Sequence, residues 1–174
     1  IISADLDNDC YDEVFFNNIG EPNKLFKILD DGAFQQIPID VGLEPDGYGT
    51  GAAVADIDND GILELLVSHG ESVDQPLSLY KAKVNPNNKY LRIKPLNKHG
   101  APARGATVTL ISNLRKHSKT IDSGSGYLCQ MEPVAHYGIR KNEEDIKIQI
   151  KWTNGKIKTV SINELNQTIT LKQK

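Results

Sequence analysis

The chain reads as a series of short apolar or alternating runs closed off by glycine, proline, asparagine and aspartate, and no stretch sustains the 3.6-residue period of a capped helix. In the first half the runs are Glu13–Asn17, Lys24–Leu29, Phe34–Ile39, Ala52–Ala55, Glu64–His69 and Leu77–Lys81. In the second half they are Tyr90–Pro95, Ala106–Ile111, Ser118–Asp122, Ile146–Trp152, Lys156–Ser161 and Thr168–Lys172. The pattern predicts an all-β chain, with a short helical turn over Ile162–Leu165. Residues i and i+2 of a strand share a face. Ile146, Ile148, Ile150 and Trp152 therefore point to a core, with Ile93 and Ile157 similarly inward. The opposite faces are basic: Arg92 with Lys94, Lys147 and Lys151 around Gln149, and Lys156 with Lys158.

With 39% hydrophobic and 25% charged residues over 174 positions, the composition is that of a folded chain with a real core. No run approaches the ~18 apolar residues of a membrane span, so membrane insertion is not expected. The chain opens on Ile1-Ile2-Ser3, directly against an acidic loop, and reads as a piece of something longer. Its net charge of −3 hides a division between halves. Residues 1–84 carry 17 acids and 4 lysines, or −13, whereas residues 85–174 carry 6 acids and 16 lysines and arginines, or +10. The turn residues Asn85-Pro86-Asn87-Asn88 sit at the crossover, and two domains are expected, 1–84 and 85–174. Two cysteines, Cys10 and Cys129, are too few for a disulfide framework or a zinc site. They can pair with each other, pair with segments outside this chain, or stay unpaired; the last is the plain reading.

The chemistry is concentrated in two loops. Ala4-Asp5-Leu6-Asp7-Asn8-Asp9-Cys10 and Ala55-Asp56-Ile57-Asp58-Asn59-Asp60-Gly61 repeat one arrangement, with Asp5 and Asp56 51 positions apart. Two carboxylates ~4 Å apart repel by about 4 kcal/mol at an effective dielectric near 20, so something must offset the charge. Counted from the first aspartate, positions 1, 3 and 5 are Asp5, Asp7, Asp9 and Asp56, Asp58, Asp60. Position 9 is Glu13 or Glu64. Position 7, Tyr11 or Ile62, offers its backbone carbonyl. Such an all-oxygen set suits Ca²⁺, which takes six to eight oxygens. An EF-hand needs a bidentate Glu at position 12, where Phe16 and Val67 stand, so these loops join strands rather than helices. Gly61 permits the positive φ a sharp turn needs. Cys10 holds the same place in the first loop, and the first site is expected to bind more weakly. A unit recurring at about 50 residues points to propeller blades or a solenoid, and two copies are too few to close a ring, which places further blades upstream.

Gly49-Thr50-Gly51-Ala52-Ala53-Val54-Ala55-Asp56, with the acidic loop and Leu65-Leu66-Val67-Ser68-His69-Gly70, resembles the FG-GAP/VCBS blades of integrin-α-type propellers. Arg104-Gly105-Ala106 and the stretch from Asp122 through Ser125, Cys129 and Pro133 to Gly138 resemble the ASPIC/UnbV domain. The resemblance implies a partial β-propeller of FG-GAP/VCBS-type blades followed by a small β-sandwich-like domain. It further implies a secreted, calcium-binding matrix glycoprotein, with a longer propeller upstream and an EGF-like calcium module downstream in such proteins.

Catalysis is not expected. Ser125 lacks the flanking glycines of a nucleophile elbow, since Ser123 and Tyr127 stand where they would be. His69, His99, His117 and His136 have no zinc spacing, and His136, after Pro-Val-Ala, reads as a buried structural side chain. The Gly-Ser run reads as a bulged turn that packs Tyr127 and Leu128 inward. The basic faces are either ordinary solvated sheet or a cationic surface for sulfated glycans. Nucleic acid is not expected, because aromatics make up 6% of the chain and do not interleave with the basic residues. Asn166-Gln167-Thr168 is an N-glycosylation sequon. The expected function is an extracellular matrix or adhesion module that engages an extracellular protein or cell-surface receptor, with structural calcium. The rival reading is a carbohydrate-active or enzyme-accessory propeller module.

Overall fold

The computed structural model describes residues 1–29, 31–38, 49–70 and 74–174. Among the described residues every regular element is a strand. Ile39, the last residue of one expected strand, lies outside them. Two compact units are formed: Ile1–Asp7, Tyr11–Val84 and Gly124–Met131 make the first, and Asn8–Cys10, Asn85–Ser123 and Glu132–Lys174 the second.

The first unit holds two antiparallel sheets. One is a meander of β1 (Ile2–Ala4), β2 (Glu13–Phe16), β3 (Lys24–Ile28) and β4 (Phe34–Ile37); the other runs β5 (Gly49–Ala55), β6 (Glu64–His69) and β7 (Ser78–Lys81). The short β1 was not marked in the sequence because only Ile2 and Ala4 turn inward. Strand alternation sends Ile2, Ala4 and Phe15 of the first sheet into one apolar core with Ala52, Val54, Leu65 and Val67 of the second. Burying each of the larger of these stabilises the unit by roughly 1.5–3 kcal/mol. Each acidic loop occupies the same place, the connection from a sheet's first strand to its second. The two sheets thus repeat one design.

Gly51 shows why the glycines before the second loop are required. β5 slips register between Gly49 and Gly51. A Cβ on Gly51 would lie 2.3 Å from Cys129 Sγ and 2.8 Å from the Tyr127 carbonyl oxygen. Gly124–Met131 therefore packs against bare backbone, and Met131 adds to the apolar core. The inward packing expected of Tyr127 and Leu128 is not what this segment does, since both are exposed. Leu128 takes φ +54°, and the turn this makes swings the chain so that Cys129 and Met131 face in instead.

In the second unit β8 (Lys89–Leu96), β9 (Thr107–Ile111), β10 (Lys116–Thr120), β11 (Ala135–Ile139), β12 (Lys147–Lys151), β13 (Ile157–Ser161) and β14 (Gln167–Lys172) form two sheets. The four-stranded sheet has the order β10-β9-β12-β13. The three-stranded one is β11-β8-β14, with β14 parallel to β8. Val108, Leu110, Ile148 and Ile150 meet Leu91, Ile93, Tyr137 and Leu171 in a sandwich-like core. The Tyr137 hydroxyl donates to the Val108 carbonyl at 2.8 Å, so its burial leaves no polar atom stranded. β11 went unmarked in the sequence because its five residues are all buried and mix His, Gly and Tyr, which hides any alternation.

Three further expectations are corrected here. Residues 162–165 form no helical turn, because the Ile162 N–H donates to the Ile146 carbonyl and Ile162 and Leu165 are drawn onto the core. Ile157 faces out and is exposed, since Lys158 and Val160 pair with Ile150 and Ile148 on the inner side of β13. Arg92 is not part of a solvated basic face: it is buried and ion-paired with Glu132, with Thr168 accepting a second hydrogen bond at 3.4 Å. Cys10 and Cys129 are not joined in a disulfide. His136 is buried as expected, stacked on Tyr90 with ring centroids 6.2 Å apart.

Candidate metal centres

Local sequence sets the shape of both loops alike. At position 4 Asn8 and Asn59 have φ +60° and +61°, and at position 6 Cys10 and Gly61 both have φ +84°. Asparagine tolerates the left-handed region, and glycine prefers it. Cys10 does not force a different curl; it adopts the glycine conformation, at a cost of about 1–2 kcal/mol for an L-residue. Each loop is closed by its position-9 glutamate. Glu13 Oε2 accepts the Leu6 N–H at 2.8 Å, and Glu64 Oε2 accepts the Ile57 N–H at 2.8 Å. In the second loop Asp56 Oδ2 also accepts the Gly61 N–H at 3.1 Å, while Asp60 Oδ1 accepts the Ile62 N–H at 2.9 Å.

These turns bring three carboxylates together in each loop. Oxygens of Asp5, Asp7 and Glu13 lie within 4.8 Å of one another, as do those of Asp56, Asp58 and Glu64. Asp5, Glu13, Asp56 and Glu64 are buried, and the exposed Asp58 completes its cluster from the solvent side. Asp9 and Asp60 stand outside the two clusters; Asp9 falls in the second compact unit. The carbonyls of Tyr11 and Ile62 follow at the next alternate position.

Sequence reasoning missed two residues. Lys27 on β3 is the cross-strand partner of Glu13, and Lys81 on β7 that of Glu64. Lys27 Nζ lies 2.7 Å from Asp7, and Lys81 Nζ lies 2.7 Å from Asp58, 2.8 Å from Asp60 and 2.6 Å from Glu64. A cation placed opposite position 9 was the available signal, visible only once the strand register was known. Hydrogen bonding from Lys81 holds the Asp58 carboxyl below its ordinary range. Hydrogen bonds to Asp58, Asp60 and Glu64 raise the Lys81 ammonium in turn.

In the first cluster the lysine reaches Asp7 but not Glu13. Glu13 Oε1 is buried without a hydrogen bond, and Lys27 Nζ stays 3.9 Å away. Burial, with Asp7 and Asp5 adding repulsion, pushes the Glu13 carboxyl up to about 8 against the Leu6 hydrogen bond and the Lys27 charge. Such an oxygen is short of a cation. A buried carboxylate with a bare oxygen beside two aspartates fits a hard dication held by oxygen ligands.

The FG-GAP-like repeat model matches residues 5–67, which contain both loops, and the ASPIC and UnbV model matches residues 96–174. Cartilage acidic protein 1 of Xenopus tropicalis is 46% identical over 173 residues, covering 94% of this chain. The Homo sapiens and Mus musculus proteins of that name are 42% and 41% identical, each over 182 residues and 98% of this chain. The chain spans 27–28% of the length of these relatives.

Proposed function

We propose that this chain, similar to part of cartilage acidic protein 1 and matching an FG-GAP-like repeat and then an ASPIC and UnbV model, is an extracellular interaction module whose acidic loops bind Ca²⁺. In this reading the ion is structural and the chain catalyses no reaction. Asp5, Asp7 and Glu13 hold one ion, and Asp56, Asp58 and Glu64 the other. Asp60 and the carbonyls of Tyr11 and Ile62 are the further oxygens these loops offer. The single observation that carries the reading is the duplicated loop: two copies with the same positive-φ residues, the same glutamate closure at 2.8 Å and the same convergence of three carboxylates.

The loop residues do the structural work. Leu6 and Ile57 N–H groups orient the glutamates, and the positive-φ residues turn the aspartates back on them. Bound calcium supplies the positive charge that this clustering calls for. Each loop then becomes a fixed corner joining a blade's first two strands, which positions neighbouring loops for a protein partner.

Isothermal titration calorimetry on the chain, with Ca²⁺ and with Mg²⁺ as control, tests the reading. Two calcium ions per chain are expected, with one lost in an Asp56→Asn/Asp58→Asn variant. No calcium heat in a folded chain would refute it.

A further inference from the structure

The outer face of the four-stranded sheet in the second unit carries lysines and no carboxylate. Strand register aligns its side chains in three rows. Lys116, Ile111, Lys147 and Ser161 form the first; Ser118, Thr109, Gln149 and Thr159 the second. The third runs from Thr120 to Ile157 and contains Lys151. The twelve positions hold three lysines, all exposed, and no carboxylate. A typical surface mixes both signs.

The middle row is a hydrogen-bonded line. Thr109 and Ser118 hydroxyls lie 2.8 Å apart, and Gln149 Nε2 donates to Thr159 Oγ1 at 3.4 Å. Strands spaced ~4.8 Å apart and rising ~3.3 Å per residue place Lys116 and Lys147 ~10 Å apart, and Lys147 and Lys151 ~13 Å apart. The lysines thus bracket a strip on which Ser118 and Thr159 are exposed, Gln149 is half-buried and Thr109 is buried beneath them. At ~8 Å of screening length they repel one another weakly, yet each can meet a separate anionic group on one extended chain.

From this face we infer a docking site for a sulfated polysaccharide. Lysine ammonium groups meet sulfates as point charges, and hydroxyl and amide side chains match sugar hydroxyls. A protein partner would require anchors of the Trp, Tyr or Arg kind, and single-stranded nucleic acid would require stacking aromatics; the twelve positions have neither. The inference deepens the extracellular reading by naming a partner class, but uses none of the calcium residues.

Heparin affinity, measured in EGTA by surface plasmon resonance at physiological salt, separates the two ideas. A Lys116→Gln/Lys147→Gln/Lys151→Gln variant is expected to bind at least tenfold more weakly. Lys89→Gln/Lys98→Gln/Lys141→Gln, the same charge change at exposed lysines off this face, is expected to change affinity by less than threefold. A matching thermal melt establishes that each variant folds. Equal losses in the two variants would reduce the effect to net charge and overturn the assignment. So would no heparin binding by the parent chain, or single-stranded DNA binding as tightly as heparin. Calcium has no part in any of these outcomes, so their failure leaves the metal reading standing.

Discussion

Lys81 Nζ lies 2.6 Å from Glu64 Oε1, and the two residues are direct cross-strand partners on β7 and β6. Lys27 keeps the same register against Glu13 on β3 and β2 but stays at 3.9 Å. Each acidic loop therefore has a built-in cation beside it: both lysines reach the position-3 aspartate at 2.7 Å, and in the second loop Lys81 reaches the glutamate as well. An ammonium among Asp58, Asp60 and Glu64 competes with a dication for the same oxygens. Any fraction of molecules holding the lysine there lowers the apparent calcium affinity by that fraction.

Lys81→Met is therefore expected to lower the melting temperature in EGTA and to tighten calcium binding at the second loop by about tenfold. Calorimetry on the variant in an Asp5→Asn/Asp7→Asn background isolates that site. Unchanged affinity would mean the lysine leaves the carboxylates at no cost.

Gly61 takes φ +84°. Gly61→Ala is expected to cost about 1–2 kcal/mol of stability in EGTA, measured by urea unfolding, and to weaken calcium at the second loop about tenfold. A neutral result would show that the turn relaxes, and would remove the basis for ranking the Cys10 loop as the weaker site.

How much of this was legible beforehand depends on the range of the interaction. The ten expected metal ligands are local in sequence, and six of them converge in the structure because a nine-residue turn dictates their spacing. The apolar face Ile146, Ile148, Ile150 and Trp152 is likewise buried, since strict alternation encodes it. Lys27 and Lys81 were not legible, because their role depends on which strands pair and in what register. Ile157 and Lys158 were assigned to the wrong faces for the same reason: a one-residue shift inverts every side chain on a strand. Arg92 read as surface because its partner, Glu132, is 40 residues away.

Gly51→Ala tests whether Gly124–Met131 is held as described. A Cβ 2.3 Å from Cys129 Sγ and 2.8 Å from the Tyr127 carbonyl must displace backbone. A loss of about 2–3 kcal/mol is expected from such overpacking, read by urea unfolding. Gly124, which has open space around it, should accept Ala with little change.

Glu143 is expected to contribute to the acid limb of the second unit. Burial works to raise its carboxyl, but hydrogen bonds from Arg115 at 2.8 Å, the Arg140 N–H and Ser112 outweigh that and hold it below the ordinary 4.5. A depressed folded-state value gives stability that is present above the unfolded value and is lost as pH falls from there through the folded-state value. Stability of this unit is thus expected to drop below about pH 4.5. Glu143→Gln should cost about 3 kcal/mol at pH 7 by leaving Arg115 unpaired, and should flatten that limb. An unaltered acid limb in the variant would assign the loss to other carboxylates.

The most direct measurement is thermal unfolding of the chain in EGTA and then at stepwise Ca²⁺ up to millimolar, with Mg²⁺ as control. Ligand linkage gives about 2.7 kcal/mol per site once free calcium reaches ~100 times its dissociation constant. The expected result is a calcium-specific rise in melting temperature that shrinks in Asp58→Asn/Glu64→Gln and disappears when Asp5 and Asp7 are also changed to Asn. A melting temperature independent of calcium, or one raised equally by magnesium and by calcium in all variants, would contradict the assignment of the two loops as calcium sites.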